Sequence, residues 1–210
     1  MKIILGGHWT DAPKGWVALT EDEQDITKRF QWDDSSLEAV ATEHVFEHCD
    51  FFGGINYMKE SYRCLKPGGI LRTVAPFVDK LVQFDSLTFR GVGGQSLNRS
   101  YIINSLKPYY PGHAEELESM GIDFLSEGLP FFLDSLMKKH NHKFLWSTTL
   151  MLKVLSSIGF SDVRICLPGE SEFDESTCLE RRYRGVDHEI AQAFGYSMFD
   201  PESLVVEAKK

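Results

Sequence analysis

Short apolar runs separated by glycine-rich and acidic turns punctuate the first eighty residues, and each has the length of a strand rather than a helix. Lys2–Leu5 stops at Gly6-Gly7, which predicts a buried strand with a tight exit. Residues 16–20 form a second such run, entered through Asp11, Pro13 and Gly15. Only about ten residues separate the two, whereas a crossover holding a full helix takes a dozen or more. The first crossover is therefore expected to be a loop or a single turn. Residues 37–42 follow the polar turn Asp33-Asp34-Ser35-Ser36 and predict another strand. Over 54–64 the period changes: Ile55, Met58, Tyr62 and Leu65 recur at helical spacing, and Pro67-Gly68-Gly69 stops the helix. Lys66 sits near its C-terminus, where the helix dipole favours a cation. Residues 70–75 then make a strand that Pro76 cuts off. Strand, helix and strand in that order form a βαβ unit and imply a parallel sheet.

From 77 to about 142 the pattern is mostly helical and carries glycines and aromatics, among them Tyr101, Tyr109 and Tyr110. Residues 150–158 resume as an amphipathic helix ending at Gly159-Phe160. Strands are expected at 162–167 and, after an acidic stretch over 169–180, at 204–208. The chain reads as one α/β domain over 1–210 with a helical insertion, expected to act as a lid, at about 77–145.

Composition narrows the function. The 210 residues carry a formal net charge of -9, with 42% hydrophobic and 25% charged residues, values of an ordinary globular chain. Such a field disfavours sequence-independent binding to nucleic acid, which depends on neutralising phosphates. The longest apolar runs fall far short of the roughly twenty residues that span a bilayer, so no membrane partner is expected. The first residues lack the apolar core and cleavage site of a secretory signal. Cys49, Cys64, Cys166 and Cys178 form no C-x-x-C pair and are expected to be reduced thiols. The expected location is cytoplasmic.

Several motifs occur in a particular order: Gly6-Gly7-His8 after the first strand, Asp25-Ile26 in an acidic turn, Val45-Phe46-Glu47-His48 at a helix start, and Leu65-Lys66-Pro67-Gly68-Gly69 before a strand. This order resembles that of the class I S-adenosylmethionine (SAM)-dependent methyltransferases, and specifically their small metabolite-modifying subgroup (type 11-like). The resemblance covers most of the chain and is weakest over the insertion. It implies a Rossmann-like, doubly wound, mostly parallel sheet with helices on both faces, and the insertion after the family's fifth strand. It implies S-adenosyl-L-methionine as cofactor and a small-molecule or sugar-type methyl acceptor as substrate. On this resemblance Gly6 and Gly7 pass beneath the cofactor, Asp25 and Ile26 hold the adenine, and Glu43 faces the sulfonium. Two positions depart from the pattern. The G-x-G loop is here Gly6-Gly7-His8, and the ribose-binding acid expected at the end of the second strand is Thr20, with Glu21 and Asp22 just beyond.

Methyl transfer from a sulfonium is an in-line displacement in which the protein's task is to hold acceptor and methyl in line. A base helps when the acceptor must lose a proton. His44, at the end of the 37–42 strand, is the candidate catalytic base; the competing role is a helix cap or a satisfied core hydrogen bond. Glu47 and His48 look like an acid–base pair, but adjacent helical positions point about 100° apart, which favours packing. His140 and His142 have no nearby cysteine and too few ligands for zinc, so no metal is expected. Pro76 and Phe77 are expected at an acceptor pocket, with the insertion tyrosines and His113 as candidate lid residues. The departures at His8 and Thr20 support a second reading, a catalytically inactive methyltransferase-like domain acting as a SAM- or S-adenosylhomocysteine (SAH)-binding or protein-interaction module. A third, another Rossmann-like nucleotide binder, is disfavoured because Gly6-Gly7-His8 does not make G-x-G-x-x-G. The acceptor and the oligomeric state are not legible in the sequence.

Overall fold

The computed structural model describes residues 1–6, 12, 14–79, 81, 116, 119–121, 130, 133–166, 169–174 and 203–210. Internal contacts divide the chain into two compact units, one of Met1–Val78 with Lys143–Lys210 and one of Asp79–His142. In the second unit the described residues include a π-helical turn at Ser135–Lys139, beside which Lys138 pairs with Asp134 one helical turn away. Gly7, His8, Tyr101, Tyr109, Tyr110 and His113 lie outside the described residues.

The first unit is built on a six-stranded sheet. Its strands are β1 (Lys2–Leu5), β2 (Trp16–Leu19), β3 (Leu37–Glu43), β4 (Leu65–Pro76), β5 (Ser161–Cys166) and β6 (Ser203–Lys209), in the order β2-β1-β3-β4-β6-β5. β2, β1, β3 and β4 run parallel, and β6 is antiparallel to both β4 and β5. The chain steps one way from β1 to β2 and the other way from β3 to β4. That reversal between β1 and β3 is the switch point of doubly wound sheets, where ligands settle at the carboxyl ends of the strands. The architecture is Rossmann-like.

The helices α1 (Phe51–Cys64) and α2 (Thr148–Ile158) share one face of the sheet. There Tyr57 and Met58 of α1 and Met151 and Leu155 of α2 pack on Ile3, Leu5, Val40, Leu71 and Val206. Alternate residues face the other way, as the two-residue period of strands requires, and Ile4, Ala39 and Ala41 join Trp16 in a second cluster. On that second face the Arg72 guanidinium bonds the Glu207 carboxylate at 2.5 Å, both side chains being almost wholly buried. Glu207 also accepts hydrogen bonds from Ser171 Oγ (2.7 Å) and the Glu172 amide (3.0 Å), so it anchors the 169–174 stretch.

Two element boundaries differ from the sequence expectation by three residues or more, each for a visible reason. α1 begins at Phe51, three residues before the apolar period starts, because Asp50 caps it: its Oδ1 accepts from the Gly53 amide at 2.7 Å, an N-cap bond that supports the first turn. β4 begins at Leu65, which pairs with Leu37 before a register shift returns Ile70 to Ala39. The Lys-Pro-Gly-Gly segment is thus part of the strand's irregular start. It is fastened by Gly68 N–H to the Lys210 carbonyl (2.7 Å) and Lys210 N–H to the Gly69 carbonyl (3.0 Å). Phe77, expected at an acceptor pocket, is fully buried and bridges to Trp146.

Candidate functional site

At the carboxyl ends of β1, β2 and β3 lies a cavity of about 460 Å³ lined by Gly6, by Glu21 and residues 24–27, by His44, Val45 and residues 48–50, and by Lys143. That volume falls in the range of small-molecule sites, about 300–1,000 Å³. Its position is the switch point between β1 and β3.

Each wall has a local cause. Gly6 ends β1 with φ +75°, and its amide donates to the Leu19 carbonyl of β2 at 2.8 Å. A Cβ there would meet both γ-methyls of Val45 at 2.6 Å, so only glycine fits. After β2 the chain turns at Thr20, whose amide and hydroxyl both donate to Glu23 Oε2 at 2.8 and 3.0 Å. Thr20 and Glu23 are thereby occupied with each other, while Glu21 lines the cavity. Gln24 stitches the next loop through its side-chain bonds to the Asp25 carbonyl and the Gln31 amide.

Asp25 Oδ1 accepts from the amide and the hydroxyl of Thr27, at 2.8 and 2.7 Å, which fixes the carboxylate by a local turn. Burial alone would raise its pKa. The Thr27 hydrogen bonds, with Lys28 and Lys143 nearby, outweigh that and hold it below the ordinary aspartate value. The cavity therefore has a permanently charged carboxylate at neutral pH. Ile26 lines the cavity and also belongs to the core, at 5% exposure.

His44 follows β3 in the left-handed region, φ +52°, with its amide bonded to the Val74 carbonyl of β4. A non-glycine residue held there stores strain of a kind that clusters at functional sites. Its ring is gripped at both nitrogens: Nδ1 lies 3.1 Å from Glu47 Oε1, and Nε2 lies 3.0 Å from Ser203 Oγ. Glu47 thus pairs with His44 across one turn, and its neighbour His48 lines the cavity.

No protein-family model matches the chain, and no curated sequence matches it. Solved structures do match in fold. A Haemonchus contortus phosphoethanolamine N-methyltransferase 2, in complex with phosphomonomethylethanolamine and S-adenosylhomocysteine, is 12% identical with a TM-score of 0.49, covering 100% of this chain and 48% of that one. A SAM-dependent methyltransferase from Archaeoglobus fulgidus is 17% identical with a TM-score of 0.43, covering 92% and 67%. The geranyl diphosphate C-methyltransferase of Streptomyces coelicolor A3(2) is 11% identical with a TM-score of 0.43, covering 92% and 53%. The chain thus spans roughly half to two thirds of the length of these structures. With every TM-score below 0.5, the fold rests on the strand order itself.

Of the residues singled out in the sequence, Gly6, Asp25, Ile26 and His44 come together in the cavity, and Glu43 is not among its lining residues. His48, Cys49, Asp50 and Lys143 line it without having been expected there. For Asp50 a signal existed, since aspartate is among the preferred residues immediately before a helix. The Cys49 thiol is pushed up to about 12, by burial first and then by the nearby carboxylates of Asp25 and Asp50. In the folded protein it is expected to resist iodoacetamide at mildly alkaline pH, because the thiolate is the reactive form. Mass spectrometry of the labelled protein, with and without denaturant, checks this; labelling at a free thiol's rate in the native state would contradict it.

Proposed function

We propose that this chain is a SAM-dependent methyltransferase acting on a small-molecule or sugar-type metabolite. The observation that carries the proposal is the gathering of Gly6, Glu21, Asp25 and His44 around one cavity at the β1/β3 switch point. These are the places where the family resemblance expects the cofactor, and Glu21 supplies, one residue late, the acid that Thr20 does not. The charge also suits the ligand: three carboxylates (Glu21, Asp25, Asp50) against one lysine line a cavity that would receive a sulfonium cation. Glu21 would take the ribose hydroxyls and Asp25 the adenine amino group through Oδ2, since Oδ1 is held by Thr27. SAM supplies an electrophilic methyl group; the chain's part is to orient it, exclude water and receive a proton. No helix among the described residues is long and apolar enough to cross a membrane.

Calorimetric titration with SAM and SAH tests the assignment. Ligand at about a hundred times Kd should stabilise the fold by about 2.7 kcal/mol, read as a rise in Tm. Asp25→Ala should weaken binding roughly tenfold or more, the value of a hydrogen bond to a charged group. Absence of any Tm rise at millimolar ligand would refute the enzyme reading.

A specific observation favours a second reading, a binding module without turnover. The Gly6 amide is committed to Leu19 and both His44 nitrogens are bonded within the protein. SAH binding without methyl transfer to any of a panel of metabolites would select that reading.

A further inference from the structure

The turn that carries Asp25 is held from several directions at once. Oδ1 accepts from both donors of Thr27, the amide at 2.8 Å and the hydroxyl at 2.7 Å. The Asp25 carbonyl accepts from Gln24 Nε2 at 2.9 Å and from the Lys28 amide at 3.1 Å. Gln24 is itself buried, and its Oε1 accepts from the Gln31 amide at 3.1 Å. The γ-methyl of Thr27 meets the start of α1, where a Cβ on Gly53 would come within 2.9 Å of it. Thr27 thus turns its methyl to the helix and its hydroxyl to the carboxylate, and both Asp25 and Thr27 line the cavity. A carboxylate free to rotate can follow whatever donor a ligand offers. One whose Oδ1 is held by two hydrogen bonds meets the ligand in a fixed orientation, which is preorganisation.

We propose that Thr27 determines which purine the cavity accepts: by fixing Oδ1 it holds Asp25 as an acceptor in one place, which selects a 6-amino purine over a 6-keto purine. The inference rests on the SAM reading of the cavity and adds to it the residue that makes the base distinguishable. A 6-amino group donates, and an ionised carboxylate can only accept. A 6-keto group presents lone pairs to the same oxygen, and a polar site left facing a like group is what rejects an analogue. Only by turning could the carboxylate reach instead the ring N1–H that a 6-keto purine carries, and the two Thr27 bonds oppose that turn. Thr27 acts through Asp25 and is a positioning residue. Lys28 and Lys143 act on the same carboxylate through their charge; being donors only, neither can read an amino group in its place. The other titratable groups on the cavity are Glu21, His44, His48, Cys49 and Asp50, from the turns after β2 and β3.

Calorimetric titration of the full chain with SAH and with S-inosylhomocysteine, its 6-keto counterpart, tests this by equilibrium binding alone. SAH should bind about ten- to a hundredfold more tightly, the worth of a hydrogen bond to a charged group; equal affinities would overturn the proposal. Thr27→Val keeps the shape and the methyl and removes the hydroxyl. It should shrink the preference about threefold or more, and a preference as large as in the wild type would overturn the proposal. Thr27→Ser restores the hydroxyl without the γ-methyl and should keep the wild-type preference. Its loss in Thr27→Ser would mean that packing on Gly53, not the hydroxyl, sets the preference, and the proposal would fall. A purely structural role for Thr27 would weaken both ligands alike and leave their ratio unmoved. Should Thr27→Val not fold, Thr27→Ala set beside Thr27→Ser makes the same comparison. SAH binding without preference would sink the Thr27 assignment and leave the cofactor reading standing. No binding of SAH at millimolar concentration would sink the cofactor reading, and the assignment with it.

Discussion

Arg72→Met should lower the stability of the fold by about 3–5 kcal/mol at neutral pH, the cost of breaking a buried ion pair from one side. The loss would be read as a fall in the urea midpoint with an unchanged slope. The pair is nearly sealed, with side chains 2% and 0% exposed and a 2.5 Å contact, so removing the guanidinium strips a carboxylate that water does not reach. The double substitution Arg72→Met with Glu207→Leu should recover part of the loss, because paired replacement by apolar groups of similar size is often close to neutral. Recovery should stop short of complete, since Glu207 also holds Ser171 Oγ and the Glu172 amide. A loss under about 1 kcal/mol for Arg72→Met, the size of a surface pair, would show that the pair is solvated in solution.

Gly6→Ala is the second large effect. A left-handed backbone costs an alanine about 1–2 kcal/mol, and overpacking adds about 1–3 kcal/mol; the two sum to roughly 2–5 kcal/mol. The second contribution has a named source, the γ-methyls of Val45 at 2.6 Å from the new Cβ. Val45→Ala in the Gly6→Ala background should therefore be less costly than Val45→Ala alone, a coupling that a double-mutant cycle measures directly. Additive costs would mean that the backbone at Gly6 and not the contact with Val45 sets the penalty. Both residues line the cavity, so the glycine does more than turn the chain: it lets β1 and the segment after β3 approach closely enough to close one end of the site.

These effects bear on what could be read in advance. The strands and the two long helices were legible because burial on one or two faces imposes period and length on the residues, and Pro76, Gly159 and the Lys-Pro-Gly-Gly segment punctuate them. The cavity was legible in part, through Gly6, Asp25 and His44, each next to a turn or a strand end. The partner of His44 was not. Glu47 and His48 draw the eye on the page because they are adjacent, but on a 3-10 turn the residue three places back also faces Glu47, and that is His44. Ser203 is 159 residues from His44, and no local pattern announces a contact of that span. Glu43 ends its strand one step before the chain turns to the cavity, and a one-residue shift in a strand reverses the face. Arg72 and Glu207 give no signal beyond their places in the strands, since a buried ion pair assembled from distant strands leaves no periodic trace.

The place of β6 in the sheet has a consequence for the order in which the molecule can assemble during synthesis. β6 lies between β4 and β5, and Arg72 meets Glu207 at a sequence separation of 135. As the chain emerges residue by residue, the edge of β4 that β6 covers has to wait unpaired until residues 203–209 have been made. Contacts of such span are slow to form, and a waiting strand edge invites pairing with another nascent chain. Two charged side chains from neighbouring positions of the finished sheet thus meet only then, and their bond marks the moment at which that exposed edge disappears.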